Sequence, residues 1–98
     1  MGILSDCLEK AALAGADRIE IEYKDRRELI TAFRGDLGFG LGSVDSSKRG
    51  TLLRELERLR EARQIKPKGR TYGLRLSEYE SFGETVHVIG IQEIGGSK

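Results

Sequence analysis

From Arg18 to Lys24 the side chains alternate without a break, with Ile19, Ile21 and Tyr23 on one side and Arg18, Glu20, Glu22 and Lys24 on the other. A period of two residues is that of a strand with one face in the core and one in water. Such a strand needs neighbours to pair with and an apolar layer to cover it. The remainder of the chain has to supply both.

A cover is offered on either side of it in sequence. Residues 2 to 14 place Ile3, Leu4, Cys7, Leu8, Ala11 and Ala12 at helical spacing, and Gly15 stands where a helix would stop. From Thr51 to Gln64, Leu52, Leu53, Leu56, Leu59 and Ala62 form a second narrow stripe in a background of Arg and Glu, and Pro67 and Gly69 end it. Partner strands follow each helix. After the polar turn Lys24-Asp25-Arg26-Arg27, Glu28 to Arg34 is rich in Leu, Ile, Thr and Phe; Arg70 to Glu80 alternates Tyr72, Leu74 and Leu76 against smaller or polar residues. Thr85 to Ile94 is β-branched and apolar, with Ser81, Phe82 and Gly83 as the turn before it.

Between the two sets, residues 35–50 hold five glycines and three serines without periodicity, which predicts a linking loop. The expected fold class is therefore α+β: two successive α-β-β units, at 2–34 and 51–94, forming a four-stranded antiparallel sheet with two helices packed on one face. Residues 1–94 read as a single domain with a flexible tail at 95–98. On this reading Tyr23, Phe33 and Tyr72 all point into the core.

Composition limits function. Charged residues make up 34% of the 98, yet the net charge is only +1. A general nucleic-acid binder carries a basic excess to neutralise phosphates, so that class is disfavoured. No apolar run reaches the roughly 20 residues of a membrane span, and Met1 to Leu4 followed by Ser5 and Asp6 lacks the parts of a signal peptide. A cytoplasmic location is expected. Cys7 is the only cysteine, which rules out an internal disulfide and suits a reducing compartment.

Several constellations invite a chemical reading. Gly38-Phe39-Gly40-Leu41-Gly42-Ser43 suggests a phosphate cradle, but a P-loop needs Lys and Ser or Thr directly after the last glycine, and Lys48 lies six residues beyond Gly42. His87 is the sole histidine, so neither a zinc set nor a Cys-His pair is assembled with Cys7, which sits on an apolar helix face. Glu20 and Glu22 share one side of a strand about 7 Å apart, the spacing of an acid and base pair or a hard-cation site. Arg18 and Lys24 flank them and offer charge compensation instead. Arg49, Arg54, Arg58, Arg60 and Arg63 are interleaved with Glu55, Glu57 and Glu61, the pattern of a salt-bridged solvent face. No catalytic, metal or cofactor set emerges.

Taken in order, Ala16-Asp17-Arg18-Ile19-Glu20-Ile21-Glu22, Ala32-Phe33-Arg34-Gly35-Asp36, Pro67-Lys68-Gly69-Arg70, Leu74-Arg75-Leu76-Ser77 and Phe82-Gly83-Glu84 resemble the amino-terminal domain of the hexameric motor ATPases of type II secretion and type IV pilus systems. The likeness covers nearly the whole chain. It implies a PAS-like domain that packs against a nucleotide-binding domain, with Arg34 and Arg75 at family arginine positions. A guanidinium suits such a contact because its fork of donors matches phosphate or carboxylate. Three positions depart from the family pattern: Ala32 replaces an arginine, Glu20 a histidine and Ile89 another strand arginine. The ATPase domain is missing from these residues.

The resemblance thus implies a non-catalytic interaction or regulatory module, without cofactor. Its partner would be another cytoplasmic protein, a secretion or pilus ATPase among the candidates, or a second copy of the chain. The expected surface is the exposed sheet face around Arg34 and Arg75 together with the glycine-rich loop. Two alternatives stand beside it. One is a small-molecule or nucleotide sensor gripping an anion with Arg34 and the Gly38 to Gly42 loop; the other is an RNA-binding sheet, which would want aromatics facing outward.

Overall fold

The computed structural model describes residues 2–95. Helix α1 spans Ile3–Leu13, followed by strands β1 (Arg18–Lys24), β2 (Arg27–Arg34) and β3 (Leu37–Asp45). A short 3-10 turn, Ser46–Lys48, leads into α2 (Arg49–Ala62), after which come β4 (Gln64–Ile65), a second 3-10 turn at Pro67–Gly69, β5 (Thr71–Ser81) and β6 (Glu84–Gly95). All six strands form one antiparallel sheet in the order β3-β2-β1-β6-β5-β4.

This overturns the expected four-stranded sheet built from α-β-β units: each helix is followed by three strands. The glycine-rich stretch is not a linker. Gly35 and Asp36 form a two-residue turn that pairs Arg34 with Leu37, and the chain then runs back along β2 as an edge strand. Gly35 takes a φ of +60°, which its missing Cβ makes inexpensive. Phe39 and Leu41 alternate with the glycines and pack partly buried against the core. Pairing slips by one residue opposite Ile30 and Thr31, where Leu41 is extra and Gly42 has a φ of +154°. Residues 49 and 50, also assigned to the linker, begin α2. Of the expected tail at 95–98, Gly95 belongs to β6, and residues 96–98 lie outside those described.

Both helices lie on one face. Leu4, Leu8, Ala11, Ile19, Ile21, Ala32 and Ile89 are at 0% exposure in a single cluster that also takes in Leu52, Leu56 and Leu59. The spacing of the α1 residues explains why it is a helix; Gly15 ends it with a φ of +82°. The Ala16 amide donates to Ala11 O at 2.9 Å and Gly15 to Ala12 O at 3.1 Å, the paired bonds of a Schellman motif. Arg63 ends α2 in the left-handed region, with φ 61°.

Two carboxylates tie the helices in place. Gly2, the N-cap of α1, has no side chain with which to cap it, and Glu55 of α2 does so instead. Its oxygens accept from the amides of Leu4 at 3.2 Å and Ser5 at 3.4 Å. Negative charge there also meets the positive end of the helix dipole. A Cβ on Gly2 would fall on that carboxylate, so the glycine makes room for the cap. At the other end, buried Glu28 of β2 lies 3.2 Å from Arg49 Nε, placed for an ion pair but not aligned for a hydrogen bond. Arg49 also sits over the Tyr23 ring at 5.4 Å, pinning the start of α2 to the β1–β2 hairpin.

Glu55→Ala should lower stability by about 1–2 kcal/mol, the usual loss when a helix cap is removed. Glu55→Gln, which keeps an acceptor, should cost less. Urea midpoints for both against the parent chain check this, and an unchanged midpoint for Glu55→Ala would refute the capping role.

Candidate interaction surface

The face opposite the helices is uncovered, and strand register fixes what lies on it, since directly paired residues share a side. One row across the sheet reads Gly38, Phe33, Arg18, Gly90 and Arg75; the next reads Gly40, Thr31, Glu20, Val88 and Ser77; a third reads Ser43, Leu29, Glu22, Val86 and Tyr79. Val86 is buried at 1% exposure within this face, outside the main core cluster.

Phe33 therefore points away from the core, not into it. Its ring lies where a Cβ on Gly38 would sit, 2.8 Å from the nearest ring carbon, and the Arg18 guanidinium stacks over it at 4.4 Å. Arg18 is held there by Asp17 Oδ1 at 2.9 Å and Glu20 Oε2 at 3.1 Å. Glu20 in turn accepts from the Tyr79 hydroxyl at 2.9 Å, which raises the phenol above its ordinary pKa. The Glu20 carboxylate is thus engaged by Arg18 and Tyr79, and charge compensation accounts for it. Tyr23 and Tyr72 are on the helix side, as expected.

The two arginines singled out from sequence do not share a face. Arg34 shares its side of β2 with Ile30 and Ala32, and its Nη2 donates to Ala14 O at 2.7 Å, at the negative end of α1. Gly15 passes against the same guanidinium. With Arg34 so placed and Gly38 to Gly42 held in a strand, nothing here wraps an anion as a loop would. Arg75 is on the open face at β5, exposed, and no ion pair to it exists among the described residues.

Arg75 belongs instead with Arg63. Gly73 and Gly90 leave a depression of about 380 Å³ bordered by Asp17, Arg63, Leu74 and Arg75. A second, of about 290 Å³, lies between Arg60, Arg63, Leu74, Arg75 and Leu76, where the end of α2 meets the edge of β5. Residues 58–75 carry seven cations and one carboxylate, so with an overall charge of +1 the other eighty residues carry −5. Counting charge in windows would have found this; interleaving within α2 hides it.

The other candidates have structural explanations. His87 Nδ1 lies 3.4 Å from Glu78 Oε2 beneath α2. Cys7 is buried, and burial pushes its thiol pKa up. Arg60 pairs with Glu57 at 3.6 Å, the weak exposed contact its spacing suggested. Among the described residues no cluster of His, Cys, Asp and Glu could hold a metal ion, and no helix is long and apolar enough to cross a membrane.

Arg34→Ala should destabilise by about 1 kcal/mol through its lost carbonyl bond, whereas Arg75→Ala should stay within about 0.5 kcal/mol. Denaturation of both variants checks the contrast, and equal effects would contradict it. Asp17 offers a test by pH. The Gly35 amide at 2.6 Å, and then Arg18, hold its carboxyl below the ordinary range. A depressed folded-state pKa means the contribution is complete above the unfolded value of about 3.9 and is lost as pH falls through the folded one. Asp17→Asn should lose stability near neutrality and show a shallower acid decline, whereas parallel stability curves would exclude the effect. No protein-family model matches the chain, and no curated protein matches it either.

Proposed function

We propose that this chain is a non-catalytic interaction module that docks another protein through its uncovered sheet face and the adjoining basic end, as its resemblance to the amino-terminal domain of secretion and pilus motor ATPases implies. The observation that carries the reading is the asymmetry of the sheet. Both helices seal one side, while the other presents Leu29, Phe33, Val88 and Tyr79 beside Arg75, over the buried Val86. A mixed apolar and aromatic face with an unpaired arginine at its border has the composition of a protein interface.

Arg75 contributes nothing to the fold that its neighbours require, so its guanidinium remains available to a partner's carboxylate or phosphate. Tyr79 and Phe33 add rigid aromatic area, although the hold of Asp17 and Glu20 on Arg18 leaves that arginine committed within the chain.

The purified nucleotide-binding domain of a type II secretion or type IV pilus ATPase from the same source serves as the test partner. A complex in the micromolar range is expected by calorimetry, weakened at least about tenfold by Tyr79→Ser together with Val88→Ser on the open face. Absence of a complex with domains of both kinds would reject the secretion and pilus assignment.

A further inference from the structure

The sheet is left open along one edge of β5. β4 pairs only with Tyr72 and Gly73, so β5 from Leu74 to Ser81 has no strand outside it. The Leu74 amide points outward and donates to Arg63 O at 2.9 Å. Backbone direction alternates along an antiparallel strand, and pairing with β6 runs without slippage from Gly73 to Ser81. The N–H and C=O groups of Leu76, Glu78 and Glu80 therefore also point outward. None of these amides has a protein partner among the described residues. The hairpin turn agrees: Phe82 and Gly83 both have positive φ, 51° and 79°, as in a type I′ turn, whose flanking pair Ser81 and Glu84 bond to each other.

Natural edges of this length are commonly blunted by proline, a bulge or an inward charge. β5 carries no proline, and its one irregularity lies between Thr71 and Tyr72, ahead of the open stretch; Glu78 and Glu80 fall on the helix-side parity but remain exposed, so no charge is buried along it. The edge is also polarised. Its first half adjoins Arg60, Arg63 and Arg75, with the depression of about 290 Å³ between them; its second half carries Glu78 and Glu80.

We infer that β5 is a strand-addition site for an extended segment of another protein that bears carboxylates at the end lying beside Arg63 and Arg75. The added strand continues the sheet past the end of β4, accepting from and donating to Leu76, Glu78 and Glu80. Alternate side chains of a strand face opposite sides of the sheet. A carboxylate thus meets Arg75 on the open face, while its apolar neighbour lies over Leu76 in the depression beneath Arg60. Backbone pairing supplies the binding and the arginines select sign and direction. The inference rests on the interaction-module reading and names the partner chemistry at its border.

The probe is a labelled, end-capped peptide of about seven residues in which Glu alternates with Val, long enough to span the open edge. Two controls accompany it: the same peptide with Lys for Glu, and the Glu peptide N-methylated at alternate amides so that charge is kept and pairing is lost. Binding is followed by anisotropy, and by amide shifts at Leu76, Glu78 and Glu80. Both controls, and the variant Arg63→Glu with Arg75→Glu, should bind at least about tenfold more weakly than the Glu peptide does to the parent chain. Glu78→Pro removes one outward donor without touching the ladder to β6 and should weaken binding likewise.

The inference is overturned if the Glu peptide fails to bind at about 1 mM. Equal binding of the Lys or N-methylated peptide would overturn it as well, as would shifts confined to other residues. An ATPase domain that binds the parent chain and Glu78→Pro equally would remove the β5 edge while leaving the interaction reading intact; failure of that domain together with success of the peptide would do the reverse.

Discussion

Burial of the two helical ridges on one side of the sheet is the contact on which the other features depend. Leu4, Leu8, Ile19, Ile21, Ile30 and Ile89 are all essentially inaccessible to solvent. At roughly 1.5–3 kcal/mol each, their burial is of the same order as the whole net stability of a small domain, before chain entropy is set against it. α1 lies against β1 and β3, while α2 lies against β5, so the ridges divide the sheet between them. The Glu55 carboxylate joins the two ridges by belonging to one helix and capping the other.

Once that side is sealed, the character of the opposite side follows from parity. Every strand sends alternate residues to each face, so fixing Ile19 and Ile21 inward sends Arg18, Glu20 and Glu22 outward, and register carries the choice to every neighbour. Phe33, Val86 and Tyr79 are apolar or aromatic residues on the outward parity. Phe33 lies under the engaged Arg18 and Tyr79 reaches it through Glu20, while Val86 is buried beside Tyr79, which gives the face a floor as well as charges.

Strands with a clear period and helices with a continuous stripe were legible in the sequence: β1 was delimited to the residue, and α1, β5 and β6 to within one residue at either end. β3 was not, because its apolar residues are separated by glycines that contribute nothing to a hydrophobic pattern. Gly38 marks the closeness of the Phe33 ring rather than a flexible joint. The outward orientation of Phe33 was within reach. Taking Asp25 and Arg26 alone as the turn pairs Lys24 with Arg27, and counting back two by two pairs Arg18 with Phe33. Neither residue of that turn is glycine or asparagine, though both adopt positive φ, so the usual signal for a two-residue hairpin was missing. β4, only two residues long, depends wholly on its neighbour β5 and has no local signature. Arg34 ends β2 and Arg75 lies midway along β5, yet both look like exposed strand arginines in one dimension; only the parity of their strands separates a helix-capping arginine from an unattached one.

The concentration of cations in residues 58–75 within a chain of almost no net charge gives the molecule an electrical orientation. Such a dipole exerts a torque in the field of an oppositely charged body, turning the end of α2 and the start of β5 toward it before the surfaces touch. The consequence is kinetic: productive encounters become more frequent at low ionic strength, while the near-zero total spares the domain indiscriminate attraction to every polyanion it meets.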